Sequence, residues 1–539
     1  MQRYRYFCSV VFVLTSLLTA AGAAQQPGQA AMDRDLLEAT VTQLHSMYAS
    51  GKYTVSQVTQ WHLNRIVRYN GVYRAMVHVD SSSALAAAAA MDVGARNGGR
   101  NLKRGPLWGV PVVIKSNSSV KGLVTNNGWR GYMIPGKELI APMDAPIVAK
   151  LRAAGAIILG QTNMPDFAAS DTNLSSAYGR TGNAYDWRFS PGGSSGGTVT
   201  AVSAGFSVLG TGTDTSNSIR MPSSTSAVVG MLPTRGLVST AGIHPLDWLL
   251  DNAGPIARNV MDAAIALDVM AGEDPRDFRT AGSAAKAQPR PFTKYLKTDA
   301  LKGKRFGAPA FIVREPTPGT QPPGIPLQPE TRAVFMKAID GLRAAGATVV
   351  FNDDILPDSF MTLVGAVNTG PYQLEGTETF LRDFGPAGYH SAAEYARAVG
   401  VPLPGIVTGR SPQKTLRADA DAERNFWAPQ RRALAAYNET LEKFQLDGFV
   451  YPGLQMPSNN ETIPQPDGGP SSGPHSSTGW VNSIGVPAIV VPGGFHANGM
   501  PFGLEISARQ WKDGDLLGWA FAYEQATKHR RAPVLADKP

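Results

Sequence analysis

Residues 190–222 read SPGGSSGGTVTAVSAGFSVLGTGTDTSNSIRMP. Gly192, Gly193, Gly196 and Gly197 flank the pair Ser194 and Ser195. Gly210, Gly212, Thr213 and Asp214 follow, and then Ser218, Ile219 and Arg220. Segments this rich in glycine and serine are usually linkers. This one encloses Val199, Val202, Phe206, Val208 and Leu209, apolar side chains that a linker has no need to bury. It reads as backbone brought close to a ligand, with hydroxyls at the contact. Its pattern also suits a helix over 195–204, a strand over 206–209 and a second helix start over 219–229.

The same alternation extends outward in both directions. Residues 108–115, WGVPVVIK, contain the run Val112, Val113, Ile114, as expected of a strand covered on both faces, and end on Lys115. Asp144, Ala145 and Pro146 give a helix start, with proline in the first turn. A strand is expected at 156–159. A helix over 330–345 lies between strands expected at 304–312 and 347–352, and VPAIVVP at 486–492 is a last buried strand. This strand–helix–strand rhythm predicts an α/β fold: a central mixed, mostly parallel twisted sheet with helices on both faces. Residues 371–444 read as a helical insertion over one end of that sheet. Residues 451–479 read as a long loop of a kind that is often functional.

The chain has 539 residues, 43% hydrophobic and only 17% charged, which is the composition of a folded protein. Residues 1–24 have the form of an export leader: Arg3 and Arg5, a short apolar core over 10–18, and small residues at Ala21, Gly22 and Ala23. Export to the periplasm or the medium is expected, with a flexible lead over 25–35 and the folded domain over 36–535. The apolar core falls short of the ~20 residues of a membrane span, so no stable membrane anchor is expected. The only cysteine, Cys8, leaves with the leader, so the mature chain is expected to have no disulfide and no thiol chemistry. The net charge of +8 is scattered without a clustered basic face, and no nucleic-acid partner is expected.

Metal chemistry has no motif behind it. The eight histidines are scattered without H-E-x-x-H, and His475 and His496 read as polar surface residues in loops. Neither a metal nor a cofactor is expected. Residues 192–196, GGSSG, fit the G-x-S-x-G elbow of α/β-hydrolases, which needs an apolar strand before it; YDWRFS at 185–190 is a poor one. An esterase of that type is the alternative reading. Residues 411–414, SPQK, fit S-x-x-K, but S-D-N and K-T-G are missing. A serine can also be activated by a lysine that burial keeps neutral. Lys115 has the apolar context for that role, although an ammonium at a strand end ordinarily snorkels to solvent. A second serine could carry the proton between nucleophile and lysine.

Three segments taken in order, GVPVVIK at 109–115, GGSSGG at 192–197 and GTDTSNSIR at 212–220, resemble the amidase signature family. DAPIVAKLRAAGAIILGQTN at 144–163 and WVNSIGVPAIVVPGG at 480–494 extend the resemblance over nearly the whole mature chain. It implies a single large amidase-signature domain and hydrolysis of a carboxamide through an acyl-enzyme. It also implies residue roles: Lys115 as base, Ser194 as bridging serine on a cis peptide, and Ser218 as nucleophile. The oxyanion would rest on backbone N–H groups around Thr215, Ser216, Asn217 and Ser218. Ala168 aligns with a position lining the acyl-binding site.

Two departures stand out. Ser216 and Asn217 occupy places where the family usually has glycines, so positive φ is one expectation there and an added polar contact to substrate is another. Ser116 follows Lys115 where the family often has aspartate. The implied partner is a small-molecule amide, such as a peptide amide or an aryl amide, with esters accessible to the same acyl-enzyme. A homodimer is compatible with the sequence. An exported chain would not meet tRNA, so a tRNA-dependent amidotransferase subunit is not the expected relative. A different class also stays open: an amidase-fold binding protein without turnover.

Overall fold

The apolar run Val112, Val113, Ile114 lies in a strand that is buried along its whole length. The computed structural model describes residues 28–98, 104–315, 324–409, 412–463 and 473–538. In chain order the strands are β1 Met76–Val79, β2 Pro111–Lys115, β3 Ile157–Thr162, β4 Leu174–Ser175, β5 Gly179–Arg180, β6 Leu209–Asp214, β7 Val229–Leu232, β8 Asn252–Ala257, β9 Arg305–Ala308, β10 Thr348–Phe351, β11 Gly448–Pro452, β12 Ala488–Phe495 and β13 Pro501–Ala508. β4 and β5 make a small ribbon, and the other eleven form one sheet in the order β1-β3-β2-β6-β8-β7-β12-β13-β11-β9-β10.

The sheet is mixed, as expected, and its parallel character is concentrated in two blocks. β3, β2 and β6 are parallel neighbours, as are β11, β9 and β10. Antiparallel pairing joins the two blocks through β8, β7, β12 and β13 and adds β1 at one edge. β2, β3, β6, β7 and β8 are buried at every position, so this part of the sheet is covered on both faces.

The centre of the opening stretch differs from its sequence reading in register. The helix Gly196–Ser203 forms as expected. The chain then turns through Gly205, at φ 72, and Phe206 bonds back to Ala201 at 2.8 Å. The strand therefore begins at Leu209 and runs through the glycines to Asp214, rather than occupying 206–209. Gly212 is required by close approach, since a Cβ there would lie 2.7 Å from Ile219 Cγ1 and 3.0 Å from Ser195 Oγ. The second helix is also shorter than 219–229. It spans Arg220–Thr225 and stops before Ala227, whose φ of 46 redirects the chain into β7. Likewise β9 ends at Ala308, and a helical turn, Ala310–Val313, replaces the rest of the strand expected up to 312.

Residues 371–444 are largely helical, including Gln373–Phe384, Ala392–Val399 and Ala428–Lys443. Phe380, Phe384 and Tyr395 pack in one cluster with Tyr132 and Phe167, which brings this segment onto the turn carrying Phe167 and Ala168. Residues 28–37, the described part of a first compact unit, hold the helix Gln29–Leu36 in place of most of the expected flexible lead. Everything above and below belongs to the second unit. The leader at 1–24 lies outside the described residues. No helix among the described residues is long and apolar enough to cross a membrane.

Candidate active site

Lys115 closes β2, and its side chain turns inward instead of snorkelling to solvent; it is fully buried. Nζ donates to Ser194 Oγ at 2.7 Å, to Ser195 Oγ at 3.0 Å and to the Thr213 carbonyl at 3.3 Å. Ser195 Oγ donates in turn to the Thr213 carbonyl, at 3.3 Å. The Gly193–Ser194 peptide is cis. Burial is the largest influence on the Lys115 amine and brings it down to about 7; Asp214 and then Asp251 act in the opposite direction. Those two carboxylates supply the negative field that Ser116, next in the chain, does not. Ser116 is itself buried, with its Oγ unpaired.

Ser218 stands just before the helix Arg220–Thr225 and is buried, at 5% exposure. Its carbonyl accepts from the Ser195 N–H at 3.1 Å, so backbone joins the two serine-bearing segments. The Asp214 carboxylate accepts from the Ile219 N–H at 2.9 Å, which fixes the chain immediately after Ser218. The N–H groups of Thr215, Ser216, Asn217 and Ser218 donate to no group among the described residues.

A buried ionic cluster holds this loop from behind. Arg220 donates to Asp214 at 3.1 Å and to Glu505 at 2.5 Å, and none of the three side chains is exposed. It also donates to the Ser216 carbonyl and to Asn482 Oδ1, both at 2.6 Å. Burial opposes the charge on Arg220, but Asp214 and Glu505 overcome it and raise its pKa. Burial pushes Glu505 up to about 7 despite Arg220. At the front of the loop, Thr215 Oγ1 donates to Asp251 Oδ1 at 2.5 Å. Burial raises the Asp251 carboxyl to about 7. Asp251 also lines a cavity of about 530 Å³, together with Trp248, Arg279, Phe380 and Leu416.

Ser216 and Asn217 do not need the glycine conformation, because neither has positive φ. The amide nitrogen of Asn217 is engaged within the protein. Nδ2 donates to Asp171 Oδ1 at 3.1 Å and to Ser476 Oγ at 3.0 Å. Ala168 sits on a separate turn with Phe167, at φ 62 and 55, and shares no hydrogen bond with the serines or Lys115 among the described residues. The two loop histidines are not free surface groups. His496 is buried between Met500 and Thr331, and His475 Nδ1 pairs with Asp171 Oδ2 at 3.1 Å. The G-x-S-x-G window lacks its strand, since Phe189 makes only an isolated bridge to Asn460, and Ser194 faces an amine rather than an imidazole.

A family model described as Amidase matches residues 57–517. The chain belongs to the amidase family. Its chemistry is that of hydrolases acting on amide C–N bonds. The glutamyl-tRNA(Gln) amidotransferase A chain of Symbiobacterium thermophilum is 31% identical over 513 residues, covering 93% of this chain and 99% of that protein. The native peptide amidase of Stenotrophomonas maltophilia superposes with a TM-score of 0.75 at 29% identity, covering 92% of this chain and 99% of that one. An amidase family protein from Bacillus anthracis gives a TM-score of 0.75 at 28% identity over 94% of each chain.

The glycine-serine loop stands out in the sequence by itself, whereas the role of Lys115 comes from the family resemblance. Ser195 is not singled out, because nothing distinguishes it from Ser194 until the lysine is in place. Asp251 stands 36 residues from Thr215 with no motif around it, and Glu505 is 285 residues from Arg220.

Proposed function

We propose that the chain hydrolyses a carboxamide by way of an acyl-enzyme on Ser218, with Ser194 relaying the proton to Lys115. Ser218 Oγ attacks the amide carbon and forms the C–O bond. Its proton passes to Ser194 Oγ, while the Ser194 proton passes to neutral Lys115. The tetrahedral oxyanion is held by the N–H groups at 215–218, preorganised donors aimed at the developing charge. Collapse breaks the C–N bond, and the relay runs backwards to protonate the leaving ammonia or amine. Water then repeats the attack on the ester and releases the carboxylate.

The observation carrying this reading is the short Lys115–Ser194 contact, made by an amine that burial has brought down to about 7. An amine left near its usual value would be a poor proton acceptor at neutral pH. The likeness to a peptide amidase supports a small amide, peptide amide or aryl amide, as substrate. Residues of 371–444, among them Phe380 and Leu416, line the 530 Å³ cavity, which Asp251 borders and Lys115, Ser194 and Ser218 do not, and we assign that segment a role in substrate choice through its closeness to Asp251. The leader pattern at 1–24 supports an exported enzyme. Cell fractionation and the N-terminal sequence of the mature protein test that point, and an uncleaved cytoplasmic chain would redirect attention to a role within a larger complex, like that named for the amidotransferase relatives. The decisive chemical test is labelling by an alkyl fluorophosphonate followed by peptide mapping. The adduct should sit on Ser218 and vanish in Ser218→Ala; an unreactive protein would instead be an amidase-fold binder.

A further inference from the structure

Asn217 occupies the position directly before Ser218, and its side-chain nitrogen is held by the protein. Both amide protons are engaged, one by Asp171 and one by Ser476. Its carbonyl accepts from the Met221 N–H at 2.8 Å, so the residue is fixed at backbone and side chain alike. Asp171 belongs to the segment that braces the other serine. A Cβ on Gly193 would lie 2.5 Å from the Ser170 carbonyl oxygen and 2.6 Å from that of Thr172, so residues 170–172 abut the peptide leading into Ser194. Ser476 belongs to the loop whose Thr478 carbonyl accepts from Arg220 at 3.1 Å. The second Asp171 oxygen is held by His475 of that same loop.

These contacts close a ring. It runs from Ser194 through Gly193 to the 170–172 backbone, along the Asp171 side chain to Asn217, and on to Ser218. A glycine at 217 would remove the Asp171 and Ser476 ties and leave the Ser195 N–H to Ser218 carbonyl bond as the remaining link between the nucleophile loop and the wall that braces Ser194. We propose that Asn217 is a positioning residue: its side-chain amide, held by Asp171, sets Ser218 against Ser194. The proposal rests on Ser218 being the nucleophile. Misplacing reacting groups by about 1 Å costs on the order of 100-fold in rate, so the effect belongs in the chemical step rather than in binding.

The test uses the full mature enzyme and an alkyl fluorophosphonate, with labelling resolved into the inactivation rate constant and the binding constant. Asn217→Gly should lower the inactivation rate constant about 10- to 100-fold and leave the binding constant within a factor of about two. Asp171→Ala should lower it to the same degree. The double variant should fall no further than either single one, because both changes open the same ring. Asp171→Asn keeps an oxygen for the Asn217 amide and should recover most of the rate. Thermal melting of each variant confirms that it is folded, and Asp171→Ala reports on the ring if Asn217→Gly is poorly folded. Unchanged labelling in Asn217→Gly, additive losses, or a loss confined to the binding constant would each overturn the proposal. If the parent enzyme is not labelled at Ser218, the catalytic reading itself fails, and the two failures are told apart.

Discussion

Lys115 Nζ donates to Ser194 Oγ at 2.7 Å. Its partners are two hydroxyls and a carbonyl, with no carboxylate among them. That neutral shell, together with burial, favours the uncharged amine. The general base is the neutral form, so activity should rise with pH as the amine loses its proton near 7. A plot of kcat/KM against pH should climb roughly tenfold per unit below that value and then level off. A profile that is flat from pH 5 to 9 would remove Lys115 from the base role.

The same limb should respond to a remote charge. Asp251 favours the ammonium form of Lys115 electrostatically. Asp251→Asn removes the anion while leaving Thr215 an oxygen to donate to. Asp251 itself titrates at about 7, so its anion supports the ammonium only in the upper part of the limb; there the support is lost, and the midpoint of the kcat/KM limb moves to lower pH. A limb that stays in place, or moves up, contradicts the electrostatic link.

Two serines touch the lysine, and the structure separates them. The Ser195 hydroxyl proton is committed to the Thr213 carbonyl, at 3.3 Å, so it is not available for relay. Ser194→Ala should therefore lower kcat by roughly 10²–10⁴, the usual scale of a lost proton-transfer step. Ser195→Ala should cost at least about tenfold less than that. Steady-state kinetics of the two variants side by side decide the matter.

Arg220 is the structural counterpart of this site. Removing it would strand Asp214 and Glu505, both fully buried. Breaking a buried ion pair from one side costs about 3–5 kcal/mol. Arg220→Met should show a loss of that size in urea unfolding, along with lost activity. A variant of parental stability would mean that the cluster relaxes or takes up water.

How far the sequence carries the fold depends on how each element buries itself. PVVIK is apolar at nearly every position, and that pattern alone marks it as a buried strand. LGTGTD is equally buried, yet its glycines and threonines imitate a loop, because the helix Gly196–Ser203 and Ile219 press against it and leave room for little else. β7 and β8 are likewise glycine-containing, and β7 finds one of its partners, β12, far away in the chain. At the site, the roles of Lys115, Ser194 and Ser218 follow from the resemblance of three ordered segments to the amidase signature family, not from any one of those segments alone. Of the carboxylates that act on Lys115, Asp214 lies in the same stretch as Ser218 and Asp251 comes from a separate segment; the partners of the Asn217 amide nitrogen, Asp171 and Ser476, appear only in the folded chain.

Thr215 begins the run of N–H groups proposed to hold the oxyanion, and its hydroxyl is anchored to Asp251 at 2.5 Å. Thr215→Val keeps the shape of the side chain but withdraws the donor from a buried carboxylate. The carboxylate keeps the Leu246 and Asp247 N–H groups, so the loss is that of one hydrogen bond to a charged group, about 1.5–3 kcal/mol. Burial already raises Asp251, and the Thr215 hydrogen bond opposes that rise, so its loss should push the carboxyl above about 7. The loop would lose its front anchor while Arg220 still holds the Ser216 carbonyl behind it. The expected result is a fall in kcat of about tenfold, consistent with one weakened oxyanion contact, with KM little changed. Thr215→Ser restores the hydroxyl and should recover most of the rate. Equal activity in the valine and serine variants would show that the Thr215–Asp251 contact has no part in turnover.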